Sequence, residues 1–249
     1  LPPRKLVDTR TAIPPVPGEA PLPQPDFLGL GSPVLLADGS GDVVFAGADE
    51  PGGRRSGLFR WRRDGGAIET VVENVSSRVA DISGAAYAAG ERASAGHLVY
   101  LATAWRRGVR GPGLYSQSLQ RGLFPPVPRL LTAVGEPVPQ SAPAQRFSAL
   151  GAPGAAGSWV AFVGAGSAGS VGVYACNLNS GACRRVVDSR SKLPGGGSFA
   201  NFEGTPSVAA DGTVVFMADA SNASHSGVFG ADIVSGDVWP VVAMGDAFT

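Results

Sequence analysis

The sequence is poor in charge, in histidine and in long apolar runs. Asp, Glu, Lys and Arg make up 16% of its 249 residues, against roughly a quarter in an ordinary soluble domain. No apolar run approaches the ~18 residues a helix needs to span a bilayer, so the chain is not expected to cross a membrane on helices. Its two histidines, His97 and His225, stand far apart in turn-like settings. Neither belongs to an H-E-x-x-H or similar metal pattern, so no metal and no cofactor is implied. The absence of a G-x-S-x-G elbow argues against that class of serine hydrolase. A helical period is also missing, and glycine and proline punctuate the chain too densely for helices beyond a turn or two.

Apolar residues are well supplied, at 44%, enough for a real core. Gly (36) and Pro (21) together approach a quarter of the chain. With no collagen-like period and with apolar β-type runs between them, they read as turns joining many short strands. The fold class expected is all-β.

The two cysteines, Cys176 and Cys183, bracket the turn-forming stretch Asn177-Leu178-Asn179-Ser180-Gly181-Ala182. A hairpin folded about Asn179-Ser180 sets them directly across from one another, within disulfide range. Asn74-Val75-Ser76 and Asn222-Ala223-Ser224 are glycosylation sequons at Asn74 and Asn222. Together these features lean toward an oxidising, exocytoplasmic setting: secreted, extracellular or luminal.

Internal self-similarity is the clearest signal. Four segments read as an apolar strand around an aromatic: Val43-Val44-Phe45-Ala46, Leu98-Val99-Tyr100-Leu101, Val160-Ala161-Phe162-Val163 and Val214-Val215-Phe216-Met217. Each is followed by a Gly-apolar-aromatic triplet: Gly57-Leu58-Phe59, Gly113-Leu114-Tyr115, Gly172-Val173-Tyr174 and Gly227-Val228-Phe229. A further strand follows each triplet (68–73, 129–134, 183–187, 238–243). Another precedes each repeat (27–36, 80–87, 147–151, 199–208). Four antiparallel strands per repeat of about 55–60 residues is the pattern of a β-propeller blade. One domain over 1–249 is expected, with repeats at 9–75, 76–134, 135–188 and 189–249. A Pro-rich strap over 1–26 would run along the disc.

Asp211-Gly212-Thr213-Val214-Val215-Phe216 and Gly157-Ser158-Trp159-Val160-Ala161-Phe162 resemble the "NxxGxxAF" tandem repeats of exported bacterial and algal proteins. Residues 187–199 resemble that family's connector between repeats, and 6–14 a second copy of it. Repeat two departs most, with Ser94-Ala95-Gly96-His97 at its turn. The resemblance implies a propeller-like fold outside the cytoplasm and no established chemistry. It also leaves five outer-strand-plus-connector segments for four repeats. Closure of the ring by pairing the N-terminal copy with the last repeat is the expectation; the alternative is an open ring that needs a partner or further blades.

Several local patterns have plain readings. Gly164-Ala165-Gly166-Ser167-Ala168-Gly169 matches G-x-G-x-x-G, but a strand follows where a dinucleotide site needs a helix, so a hairpin loop is expected. Asp38-Gly39-Ser40-Gly41-Asp42 lacks the further acids a calcium loop needs and reads as a turn. Asp8, Asp188 and Asp246 are aligned as matching connector positions, where an aspartate bonds turn amides. Paired carboxylates for glycoside hydrolysis need only meet in space and stay open.

Charge is uneven along the chain. Residues 52–130 hold twelve arginines against five acidic residues, a surplus of seven. Arg54, Arg55, Arg106, Arg107 and Arg110 are placed in the loop between second and third strands of adjacent repeats, where repeats three and four have none. They are the candidate partner-binding residues, since guanidinium forks suit carboxylates and sulfates. The partners expected are other protein subunits with acidic surfaces, or an anionic glycan. Nucleic acid is not expected, because no aromatics interleave for stacking. The function expected is a non-catalytic interaction or scaffold module, with no catalytic residue assigned. The alternative is a carbohydrate-active enzyme or a lectin using the propeller face. Against a lectin, Trp61, Trp105, Trp159 and Trp239 occupy unlike positions.

Overall fold

The computed structural model describes residues 6–14, 29–30, 33–36, 40–49, 56–73, 79–88, 96–106, 109–119, 127–142, 144–194, 196–221 and 226–243. All regular structure among them is β. The strands form four antiparallel sheets, one per repeat.

Sheet A holds β1 (Gly29–Leu30), β2 (Val34–Leu35), β3 (Val43–Ala48), β4 (Ser56–Trp61) and β5 (Ile68–Glu73). Sheet B holds β6 (Val79–Ala88), β7 (His97–Arg106), β8 (Val109–Ser118) and β9 (Arg129–Ala133). Sheet C holds β10 (Phe147–Leu150), β11 (Gly154–Ala156), β12 (Trp159–Gly166), β13 (Val171–Asn177) and β14 (Cys183–Asp188). Sheet D holds β15 (Phe199–Val208), β16 (Thr213–Ala220), β17 (Gly227–Asp232) and β18 (Val238–Ala243). Each sheet runs in sequence order, a meander. The first strand is broken or bulged in every repeat. It is split into β1/β2 and β10/β11, and its register slips within β6 and β15.

Registers superpose the four repeats residue by residue. The aromatic of each second strand lies opposite the aromatic of the triplet: Phe45↔Phe59, Tyr100↔Tyr115, Phe162↔Tyr174 and Phe216↔Phe229. Their ring centroids are 6.0, 5.9, 5.9 and 6.0 Å apart. Immediately before the triplet aromatic, every fourth strand carries one extra residue. These bulge residues are Val71, Leu131, Val186 and Val241. A bulge bends the strand and strengthens its twist. Here it also explains the glycine that opens the triplet. A Cβ on Gly172 would lie 2.5 Å from the Val187 carbonyl oxygen, and one on Gly227 would strike that of Val242.

Because side chains alternate along a strand, each second strand presents two different faces. Phe162 packs back among sheet B residues such as Val99 and Leu114. Its neighbour Ala161 and the partly buried Val163 pack forward with Phe199, Phe216 and Phe229 of sheet D. Val44 and Ala46 of sheet A likewise join Leu98, Tyr100 and Tyr115 of sheet B. The core is therefore three successive inter-sheet layers, A on B, B on C and C on D. Among the described residues no packing of comparable extent joins D to A. The expected closure by the N-terminal copy is not seen there, because β18 already occupies the fourth-strand place of sheet D.

Candidate interaction surface

The turns show which polar residues are spent on the scaffold. Asp8 Oδ1 accepts from the Arg10 amide (3.1 Å) and the Thr11 hydroxyl (2.8 Å), and the Asp8 amide donates to Thr11 Oγ1. Asp188 repeats this with Arg190 (3.0 Å) and Ser191 (3.2 Å). Ile13 and Leu193 then enter the core at equivalent points. The alignment of Asp246 with these two is corrected by register. Gly172 faces Asp188 whereas Gly227 faces Ala243, so Ala243 holds the aspartate's position and Asp246 lies beyond the described residues.

The hairpin turn between third and fourth strands also recurs. The amides of Gly66, Gly181 and Gly236 donate to the carbonyls of Arg62, Asn177 and Asp232. All three glycines sit at positive φ, between 66 and 80°, a region glycine enters without steric cost. Asn177 Oδ1 and Asp232 Oδ1 bond the amides inside their turns. The amide bonds from Ser235 and Val234 hold the Asp232 carboxyl below its usual pKa. Across the Asn177 turn, Cys176 pairs directly with Cys183, and the two form a disulfide, as the spacing predicts.

An unanticipated set of contacts ties consecutive repeats together. Arg129 of β9 donates to the carbonyls of Leu178 (3.2 Å), Asn179 (2.9 Å) and Ser180 (2.6 Å) in the disulfide turn of sheet C. Arg184 of β14 donates to the Ile233 carbonyl (3.1 Å) in the matching turn of sheet D and lies over the Trp159 ring. Both arginines lie two residues before the bulge residue, opposite Ser116 and Ala175. The sequence signal was a basic residue recurring early in two fourth strands, visible once the bulge fixes the alignment.

Asp42 is buried, and Asp38 and Gly39 of its loop lie outside the described residues. It accepts from Arg60 Nε (2.8 Å) and the Arg63 amide (2.9 Å), with Arg60 Nη2 at 2.6 Å. Burial pushes this carboxyl up, but the Arg63 amide and the Arg60 and Arg62 charges outweigh it and hold it below the usual value. Its oxygens are thus engaged by cations. No group of three metal-ligating side chains occurs among the described residues.

Other titratable groups serve packing. Burial, and then the Tyr115 phenol, push the Tyr100 pKa up, and its hydroxyl faces Gln117 Oε1. Burial, and then Asp188, push Tyr174 up to about 12. Both phenols stay neutral at physiological pH. Burial and then Arg129 push the His97 imidazole down, and His225 lies outside the described residues. Gly164–Gly169 is the hairpin between β12 and β13, with the Gly169 amide bonded to the Gly166 carbonyl. No helix among the described residues is long and apolar enough to cross a membrane.

Of the candidate partner-binding arginines, Arg54, Arg55 and Arg107 lie outside the described residues, as do Asn74 and Asn222. Arg106 and Arg110 are corrected from loop to strand. They fall at the ends of β7 and β8, in the pairs Arg106↔Val109 and Trp105↔Arg110. The β7–β8 arms reach ten residues each, against six in β3 and β4, so this hairpin is the long one.

Among the described residues, apolar side chains are exposed at both ends of the stack. At sheet A, Leu6, Val7, Leu30, Pro33, Val43, Phe45 and Trp61 line a cleft of about 310 Å³. At sheet D, Val215, Met217, Trp239 and Val241 are exposed, Met217 and Val241 each to 54%.

No protein-family model and no curated protein matches this chain. Among solved structures, an oligogalacturonate lyase from Vibrio parahaemolyticus is similar over 90% of this chain and 56% of its own length, at 10% identity and TM-score 0.51. A puromycin-hydrolyzing peptidase from Mycobacterium tuberculosis is similar over 91% of this chain and 31% of its own, at 12% identity and TM-score 0.48. A puromycin hydrolase is similar over 86% of this chain and 30% of its own, at 14% identity and TM-score 0.47. The chain therefore spans about a third to just over half the length of these proteins. The likeness to the lyase is one of fold alone.

Proposed function

We propose that this chain is a non-catalytic interaction or scaffold module of an exocytoplasmic assembly, its four sheets being blades of a propeller-like disc. The observation that carries the reading is how the polar side chains are used. The buried carboxylates Asp42 and Asp188 are bound by arginines and turn groups, and Arg129 and Arg184 are bound to the next repeat. The feature that differs between repeats is the long β7–β8 hairpin with Arg106 and Arg110 near its tip. An arginine-bearing projection on a rigid stack suits docking to an acidic protein surface or an anionic glycan. The disulfide and the sequons at Asn74 and Asn222 support an oxidising compartment.

The test replaces Arg54, Arg55, Arg106, Arg107 and Arg110 by serine and compares salt elution from heparin and from immobilised polyglutamate. Elution of the variant at clearly lower salt is expected. Identical elution on both removes this site. A carbohydrate-active enzyme would instead need a pocket holding two carboxylates roughly 5–10 Å apart, and Asp42 and Asp188, the buried carboxylates among the described residues, have cationic partners.

A further inference from the structure

In a meander the hairpin joining second and third strands and the connector leaving the fourth strand lie on the same edge of the sheet. Main-chain bonds join them here. The Val134 amide of one connector donates to the Pro112 carbonyl of β8. The Ser167 and Ser221 amides of the β12–β13 and β16–β17 hairpins donate to the Arg146 and Ser198 carbonyls of the connectors beside them. The long β7–β8 hairpin with Arg106 and Arg110 ends on this same rim.

The connectors superpose on their turns. The amides of Thr11, Glu136 and Ser191 donate to the carbonyls of Asp8, Ala133 and Asp188, so Arg10, Gly135 and Arg190 are equivalent positions. Where repeat two has the glycine, Arg146 donates to its carbonyl (2.8 Å) and brings a guanidinium to the same place. Arg10, Arg146, Arg190 and Lys192 are exposed among the described residues. The described acids of this rim, Asp8, Asp49, Glu136, Asp188 and Asp219, are buried or half-buried, and Asp8 and Asp188 are bound within their turns. The opposite rim instead exposes Asp64, Glu69, Asp211 and Asp237 beside Arg63, with Arg129 bound to the next repeat.

We infer that the connector rim binds an anionic polysaccharide laid along the cations of successive repeats. This rests on the docking reading above and names its partner. The connectors bury their apolar residues: Ile13, Val138 and Leu193 are 1, 5 and 4% exposed. The rim therefore offers cations with polar neighbours such as Thr9 and Gln140, rather than the apolar centre around which protein interfaces are built. Guanidinium forks match the carboxylates and sulfates of such a chain, and the polar neighbours suit its ring hydroxyls.

The test measures binding to alginate and to polyglutamate, both with one carboxylate per residue, at fixed ionic strength by calorimetry. Arg10→Gln with Arg190→Gln and Lys192→Gln removes three exposed charges and keeps the five arginines already named. Wild type should bind alginate more tightly than polyglutamate. The triple variant should lose alginate affinity roughly tenfold, the worth of three exposed ion pairs. Asp211→Asn with Asp237→Asn, on the opposite rim, controls for net charge. Second strands of six to ten residues hold the rims roughly 20 Å or more apart, beyond the ~8 Å screening length at physiological salt. The control should therefore match wild type. Unchanged alginate binding in the triple variant overturns the inference. So does polyglutamate bound as tightly as alginate, which would point to an acidic protein, and so does a gain in the control as large as the variant's loss. If the five-serine variant loses alginate while this one keeps it, the hairpin reading stands and the connector rim falls.

Discussion

Arg129 and Arg184 occupy the same position in consecutive sheets, and each reaches across to bond the main chain of the next repeat at the same turn position, Leu178 and Ile233. A four-stranded sheet cannot bury both faces alone, so the contact between neighbours decides whether the stack is stable. Arg129→Met should lower unfolding free energy by about 1 kcal/mol, since charge-assisted bonds at a part-exposed site are worth little more. Arg129→Lys should recover less than half of the loss, because an ammonium does not spread over three carbonyls as a guanidinium does. Urea unfolding of the three proteins measures both.

Asp42 gives the stack a pH dependence of definite sign. Its folded pKa lies below the ordinary aspartate value of 3.8, so it stabilises the fold above that value, and the contribution is lost as pH falls through the folded pKa. Asp42→Asn should cost about 2 kcal/mol at pH 7, because it removes the buried charge that accepts from Arg60 and from the Arg63 amide. Between pH 5 and 2 the gap between wild type and variant should narrow. Thermal melts across that range record it.

Gly172 and Gly227, which open two of the triplets, leave no room for a Cβ beside the carbonyl of the fourth strand. Gly172→Ala places a methyl against the Val187 carbonyl and should destabilise by about 2 kcal/mol, in the range of overpacked sites. Gly65→Ala is the control, since nothing lies within 4 Å of its Cβ position. Its effect should stay within about half a kcal/mol.

Cutting the cross-strand disulfide should also be measurable. Its closed loop is short, separated by seven residues, for which chain entropy gives about 2.5 kcal/mol. Cys176→Ala with Cys183→Ala should lower the melting temperature relative to the oxidised protein and match the reduced protein.

The parts of this fold that were legible in the sequence are those written within one repeat. The aromatic pairs, the four-strand order, the cysteine hairpin and the Asp8 and Asp188 turns all depend on residues no farther apart than one repeat. What the sequence hid depends on register. The extra residues Val71, Leu131, Val186 and Val241 change which fourth-strand side chains face forward, and without them Asp246 aligns wrongly and Arg129 and Arg184 look like ordinary surface charges. Arg106 and Arg110 lie in strands where a loop between second and third strands is expected. Pairing with the long opposite arm carries the strands through them. The exposed face of sheet D was invisible for a simpler reason: Val215 and Met217 look as core-like as their buried counterparts.

The most direct test of the scaffold reading is the native mass and composition of the particle carrying this chain in a gentle extract of its source. A particle well above twice the 25.2 kDa chain mass is predicted, containing other proteins and releasing this chain at lower salt when the five arginines are serine. A free monomer of 25.2 kDa would contradict the account.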